Sequence, residues 1–323
     1  MAGFFMGAGK LQSWLFYLYI MHYHPLGTSG ILVSEIGFGC MSLSANNEKD
    51  SIDLIHQAVE LGVNYFDTAD LYDKGMNEIV VGKALKGMRN KIVLATKAGN
   101  QWRSDGSGWD WNPRKKHILK AAEESLRRLQ TDYIDLYQLH GGTIDDPMDE
   151  TIEAFEQLKK EGKIRQYGIS SIRPNVILEY VKRSAIVSVM IQYSLLDRRS
   201  EESVLGLLQK NNIAVLARGV LAQGLLLDKS AKEYLNYKKE EVTKINKAVH
   251  AVSDSNRCPA QTAIRYVLSH PAVASAVTGI RNIEQLKEAT QTVLPLQNRE
   301  LELLQQTIRP NVYEQHRVDH STN

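Results

Sequence analysis

The chain has 323 residues, 43% of them hydrophobic, and a formal charge of +2 from 39 Lys and Arg against 37 Asp and Glu. That balance describes a globular protein with ample core material, and it excludes the broad basic field that binding a nucleic-acid backbone requires. Two cysteines, Cys40 and Cys258, rule out a disulfide framework and a four-cysteine zinc site; no metal is expected, and a reducing, cytoplasmic setting fits.

Residues 1–20 differ from the rest. The apolar aromatic run over 14–21 is too short to span a bilayer, and no small-residue cleavage site follows it before His22. These residues read as an extraneous extension, with Met21 as the natural start.

From Ser34 onward, short apolar runs alternate with segments of helical period. The runs cover 35–39, 63–69, 92–97, 134–140, 164–170, 187–193, 213–218 and 273–279. Their near-continuous apolar character suits parallel strands buried on both faces. Segment 51–61 gathers Ile52, Ile55, Ala58, Val59 and Leu61 largely on one helical face. Segment 113–129 does the same with Ile118, Ala121, Ala122, Ser125, Leu126 and Leu129, and Pro113 suits its first turn, where a missing N–H is harmless. Further helices are predicted over 148–160, 174–182, 201–210, 259–269 and 282–289. The longest insertion, 222–257, reads as a solvated excursion with some helix.

Strand-then-helix units without a long linker predict an α/β fold, a single (β/α)8 TIM barrel over 21–323 with its active site at the C-terminal face. A doubly wound sheet would want a GxGxxG turn after a strand, and none is present.

Active residues of such a barrel close its strands. The second run ends FDTADLYD, with Asp67 and Tyr72; the third ends LATKAG, with Lys97; the fourth ends LYQLHGG, with His140. Singly, each has an ordinary explanation as a turn cap, a snorkelling cation or a packed imidazole. Together on consecutive strand ends they suit carbonyl reduction, which needs a hydride at carbon and a proton at oxygen. A free phenol, with a pKa of about 10, holds its proton too tightly near neutrality. One ammonium about 4 Å away contributes roughly 4 kcal/mol at an effective dielectric of 20 towards the phenolate. Lys97 is the candidate to supply that charge, Asp67 to hold Lys97, Tyr72 to give the proton and His140 to aim the substrate oxygen.

The strings FDTADLY, TKAG and DLYQLH resemble the aldo-keto reductase superfamily, whose tetrad of Asp, Tyr, Lys and His maps onto Asp67, Tyr72, Lys97 and His140. The likeness runs from about His24 to Ala289. Within the superfamily the chain resembles the bacterial branch of bacillary general-stress oxidoreductases and potassium-channel β subunits, through LHGGTI and GISSIRPNVI.

The resemblance implies NADP(H), preferred over NAD, bound without a Rossmann domain. The nicotinamide carboxamide would be held by Ser170, Ser171 and Gln192, although Gln192 could equally satisfy a local backbone group. Ser171 stands where many relatives carry Asn. The pyrophosphate would lie along Gly219, Leu221 and Gly224, where small residues let it approach the backbone. Arg218 stands where relatives often place an aromatic; it could stack, pair with a phosphate, or lie on the surface. After Gly279 a helix begins near Asn282, and Arg281 beside it is the candidate for the 2′-phosphate. Gln285 and Glu288 match adenosine contacts, while Asn282 and Gln285 also fit a capping pair. Ala289 replaces the Asn often found there.

The loop NQWRSDGSGWDWN carries Trp102, Trp109 and Trp111; three tryptophans there suggest one wall of an apolar pocket, with Met41 opposite, or equally a loop that simply packs on the barrel rim. The partner is expected to be a small-molecule carbonyl compound, with no nucleic acid or membrane involved, and the protein to be a monomer or small homo-oligomer. Two other readings stand beside the reductase: a Schiff-base lyase using Lys97, and an NADP(H)-binding redox-sensing subunit with little turnover.

Overall fold

The described chain opens with an antiparallel hairpin of β1 (Tyr23–Pro25) and β2 (Leu32–Ser34). In this computed structural model residues 21–291 and 293–317 are described, so the reading of 1–20 as an extension lies outside the described residues. Leu26 and Val33 of the hairpin are buried against Tyr65, Val93, Leu136, Val187, Ala214 and Ala274, residues at or near the starts of barrel strands. The hairpin thereby closes the N-terminal end of the barrel and leaves the other end as the mouth. Its turn demands glycine at Gly27, where φ is +57° and a Cβ would lie 2.3 Å from the Val187 carbonyl oxygen.

Eight parallel strands form the closed barrel: β3 (Ile36–Gly39), β4 (Tyr65–Asp67), β5 (Val93–Ala98), β8 (Ile134–Leu139), β9 (Ile164–Ser170), β10 (Ser188–Gln192), β11 (Ala214–Arg218) and β12 (Val273–Gly279). β12 pairs with β3 and β9 with β10, which closes the ring. All eight runs expected from the sequence are barrel strands: 164–170 and 273–279 match end to end, 92–97 is shifted by one residue, and the other five are shortened by one to four residues. The tryptophan-bearing loop is ordered as a second hairpin, β6 (Asn100–Trp102) against β7 (Trp109–Trp111), inserted after β5.

The helices cover the barrel: α1 (Glu48–Glu60), α2 (Met76–Leu85), α3 (Lys115–Leu129), α4 (Met148–Lys160), α5 (Pro174–Arg183), α6 (Val204–Lys210), α7 (Lys239–Val252), α8 (Pro259–Leu268), α9 (Ile283–Thr290) and α10 (Asn298–Gln306). α3 buries Ile118, Ala121, Ala122, Ser125, Leu126 and Leu129, the face its period predicts. It begins at Lys115, so Pro113 lies before the helix and not in its first turn; the Pro113 carbonyl instead accepts from the Thr151 hydroxyl at 2.7 Å.

α2 has no apolar stripe to announce it, because Asn77, Glu78, Val80, Val81, Gly82, Ala84 and Leu85 are all buried between α1 and α3. At Gly82 a Cβ would meet the Leu129 carbonyl oxygen at 2.6 Å, so only glycine permits that approach. The helix expected over 201–210 is regular only from Val204. Before it, the Glu201 carboxylate is held by Arg198, Tyr193 and Tyr266, and the chain takes a 3-10 turn. Within the long insertion α7 buries Val242, Ile245 and Val249, which makes it a packed helix and not a solvated excursion.

Candidate active site

Three neighbouring strands supply the centre of the site. Asp67 ends β4, Lys97 lies near the end of β5, His140 follows β8, and Tyr72 opens the 3-10 turn after β4. The sequence forces this convergence: β4, β5 and β8 are adjacent in the barrel, so their C-terminal ends share one sector of the mouth.

Lys97 is the hub, 1% exposed. Its ammonium has three N–H groups, and all three are used: one on the Asp67 carboxylate, one on the Thr68 carbonyl at 2.8 Å, one on the Tyr72 hydroxyl at 3.3 Å. Asp67 is fixed in turn by Gln138 at 3.1 Å and the Tyr65 hydroxyl at 3.4 Å. Burial works to lower the Lys97 pKa, but Asp67 and Tyr72 more than offset it and leave it raised, so the side chain is a cation. Burial also lifts the Asp67 carboxyl, against the pull of the Lys97 ammonium.

The His140 and Tyr72 rings meet edge to face, centroids 5.9 Å apart at 84°. Burial, with Lys97 and Arg218 adding to it, lowers the His140 pKa to about 3, so the imidazole is neutral at neutral pH. Its Nδ1 is buried and has no hydrogen-bond partner among the described residues. The arrangement therefore offers a phenol O–H backed by a cation, beside an uncharged imidazole.

The residues that sequence reasoning singled out for a cofactor line the facing sector, on β9, β10 and β11. Ser170 ends β9 and Ser171 follows it, both buried; the Ser171 hydroxyl accepts from the Arg173 N–H at 3.2 Å. Gln192 ends β10 and bonds two side chains, donating to the Tyr234 hydroxyl at 3.0 Å and accepting from Arg218 at 3.2 Å, so it serves no backbone group. Arg218, at the end of β11, is half-buried and close enough to act on His140, which sets aside its reading as a surface arginine. Beyond it Gly219 (φ +69°), Ala222 (+46°), Gln223 (+60°) and Gly224 (+89°) wind in the left-handed region around half-buried Leu221.

Gly279 closes β12 exposed, and a Cβ there would meet nothing within 4 Å, which leaves open space over that strand end. The exposed Arg281 forms no ion pair with any described residue. Asn282 accepts from the Gln285 N–H at 2.9 Å, and the Gln285 side chain accepts from the Arg281 N–H at 3.0 Å, so the capping expected of this pair is formed, shifted one residue back on the return bond. The half-buried Glu288 takes the Cys258 thiol as donor at 3.0 Å, which commits part of that carboxylate to α8. An open cleft with unpaired Arg281, the Arg218 guanidinium and buried serines fits a phosphate-bearing nicotinamide dinucleotide.

The expected substrate wall needs one correction. β3 and β5 are separated only by β4, so Met41, 70% exposed after β3, and the hairpin after β5 flank the Tyr72 segment and do not face each other across the mouth. Trp102 and Trp109 are cross-strand partners in that hairpin, and the Lys74 ammonium stands over the Trp102 ring at 5.3 Å. Trp111, expected in that wall, donates its indole N–H to Asp146 at 2.9 Å, and its ring packs against Gly99 and Gly141, the residue after His140. Sequence reasoning missed Gln138, Tyr65 and Tyr234. Of these, Gln138 carried a signal, since a glutamine inside an otherwise apolar run must point at something polar.

A closed parallel barrel whose mouth joins Asp67, Tyr72, Lys97 and His140 defines a class of protein, and this chain belongs to the aldo/keto reductase family, whose pattern matches residues 35–309. It is an oxidoreductase of that family, whose members bind NAD(P)H and act on small carbonyl compounds. Among its relatives is the uncharacterized oxidoreductase YqkF of Bacillus subtilis, 51% identical over 308 residues, covering 92% of this chain and all (100%) of YqkF. The holo form of aldo-keto reductase AKR11C1 from Bacillus halodurans superposes with a TM-score of 0.87 at 51% identity, covering 93% of this chain and 100% of that one. The NADH-specific methylglyoxal reductase of Escherichia coli is 34% identical over 230 residues, covering 65% of this chain and 71% of that protein. No helix among the described residues is long and apolar enough to cross a membrane.

Proposed function

We propose that the protein is an NADPH-dependent reductase of aldehydes or ketones in which Tyr72 donates the proton. The observation that carries this reading is the use of the three Lys97 N–H groups: two anchor the ammonium to Asp67 and to the Thr68 carbonyl, and the third meets the Tyr72 hydroxyl at 3.3 Å. A fixed cation at that distance stabilises the negative charge that grows on the phenol oxygen as its proton leaves, without reorganising during the step. Neutral His140 offers a hydrogen bond to the carbonyl oxygen and orients it towards Tyr72.

The nicotinamide, when bound, supplies the hydride. Ser170, Ser171 and Gln192 would hold its carboxamide, Arg218 and the turn from Gly219 to Gly224 its pyrophosphate, and Arg281 the 2′-phosphate. Support for the 2′-phosphate comes from the exposed Arg281 charge, which no described carboxylate pairs, beside the N-terminus of α9. One relative is named as NADH-specific, so family membership leaves the choice of cofactor to residues such as this one.

Lys97 is poorly suited to a Schiff base, which needs a neutral amine; its pKa is raised and its N–H groups are all engaged. Borohydride with an aldehyde is expected to leave Lys97 unmodified. The deciding experiment is a carbonyl panel under saturating NADPH: many turnovers per protein support the reductase, whereas tight cofactor binding without turnover would favour a redox-sensing subunit.

A further inference from the structure

At the same mouth, between the ends of β9 and β10, the segment before α7 and the C-terminal tail, lies a cavity of about 400 Å³. Its walls hold Ile172, Leu235 and Val312, large apolar side chains left 39%, 45% and 42% exposed. Exposed apolar side chains scattered singly are ordinary, but several converging on one concavity mark a binding surface.

The polar lining is unevenly satisfied. Arg199 is committed, with both arms of its fork on Asp197 at 2.7 and 2.8 Å and its guanidinium over the Tyr313 ring at 4.9 Å. The Arg173 guanidinium donates only to the Gly142 carbonyl and has no carboxylate partner among the described residues. Tyr313 is 4% exposed, and its hydroxyl has no partner among the described residues. Burial pushes that phenol's pKa up, so it stays a hydrogen-bond donor. Glu314 also lines the cavity, but it is exposed and water screens it.

The cavity is lined by chain neighbours of the residues at the mouth. Arg173 binds the carbonyl two residues beyond His140, Ile172 directly follows Ser171, and Leu235 follows Tyr234, the partner of Gln192.

We propose that this cavity is the far end of the substrate site and takes the tail of a carbonyl compound that ends in a carboxylate. Its apolar spacer lies on Ile172, Leu235 and Val312, and its carboxylate pairs with Arg173. The inference rests on the reductase reading and deepens it. A guanidinium fork matches a carboxylate in two-pronged geometry, and the Tyr313 hydroxyl supplies a further donor.

The test compares 4-oxobutanoate, 6-oxohexanoate and 9-oxononanoate with their methyl esters under saturating NADPH. At one length the acid is expected to show a KM about tenfold below its ester, the size of one charge-assisted contact. In Arg173→Gln that acid-to-ester ratio falls about tenfold, and Arg173→Lys restores part of it. Because Arg173 also holds Gly142, Tyr313→Phe is the second variant: it removes a hydroxyl with no partner, so thermal stability holds while the ratio falls about threefold. Equal reduction of acids and esters at every length, or a ratio unmoved in Arg173→Gln, overturns the inference alone. Turnover of neither series overturns the reductase reading as well.

Discussion

The Lys97 ammonium donates to the Tyr72 hydroxyl at 3.3 Å while its other two N–H groups are held by Asp67 and the Thr68 carbonyl. The cation cannot turn away from the phenol without breaking a buried ion pair, so its position is set by the fold and not by the substrate.

Removing the phenol oxygen tests its role directly. Tyr72→Phe is expected to cut turnover by on the order of 10²–10⁴, the usual contribution of a placed general acid. NADPH affinity, followed by tryptophan fluorescence, stays within a few-fold. Unaltered turnover would remove Tyr72 from the mechanism.

The ion pair makes a prediction about folding. Lys97→Met leaves a buried carboxylate without its counter-charge and is expected to destabilise by about 3–5 kcal/mol in urea unfolding. Adding Asp67→Asn removes the stranded charge and recovers most of that loss, with activity still absent. A double variant no more stable than Lys97→Met would show that the pair is not the source.

His140 predicts a pH dependence of stability. Its pKa falls from an ordinary 6.5 to about 3 on folding, chiefly through burial. Between those values the unfolded chain binds the proton and the folded chain does not. The contribution of a neutral His140 is therefore fully present above pH 6.5 and lost progressively as the pH drops towards 3. His140→Gln is expected to flatten the decline in urea-derived stability between pH 6.5 and 4.5; an unchanged slope would place the proton linkage elsewhere.

Cofactor choice turns on Arg281. Arg281→Ala is expected to weaken NADPH by about tenfold, the size of one charge-assisted contact, with NADH little changed. Titration of both cofactors checks this, and equal loss for the two would put the 2′-phosphate on another residue.

Order and period along the chain were enough for the barrel and for the residues at its mouth. Strands buried on both faces must be apolar throughout, so a polar group closing such a run stands out, and Asp67, Lys97 and His140 were legible for that reason. The face of α3 was legible because one side of that helix meets water.

What the linear pattern could not contain were the consequences of adjacency. α2 is buried over most of its surface and lost its periodic signature, and Gln138 became a support of Asp67 only when β4 and β8 were brought around the same interior. The placement of Met41 and the tryptophan hairpin on either side of the Tyr72 segment, and the cavity lined by both Arg173 and Tyr313, likewise depend on which strands are neighbours in the ring. Local sequence dictates which faces seek burial, because solvation acts on each side chain where it stands; which polar groups then meet is a property of barrel closure, which joins residues far apart in the chain.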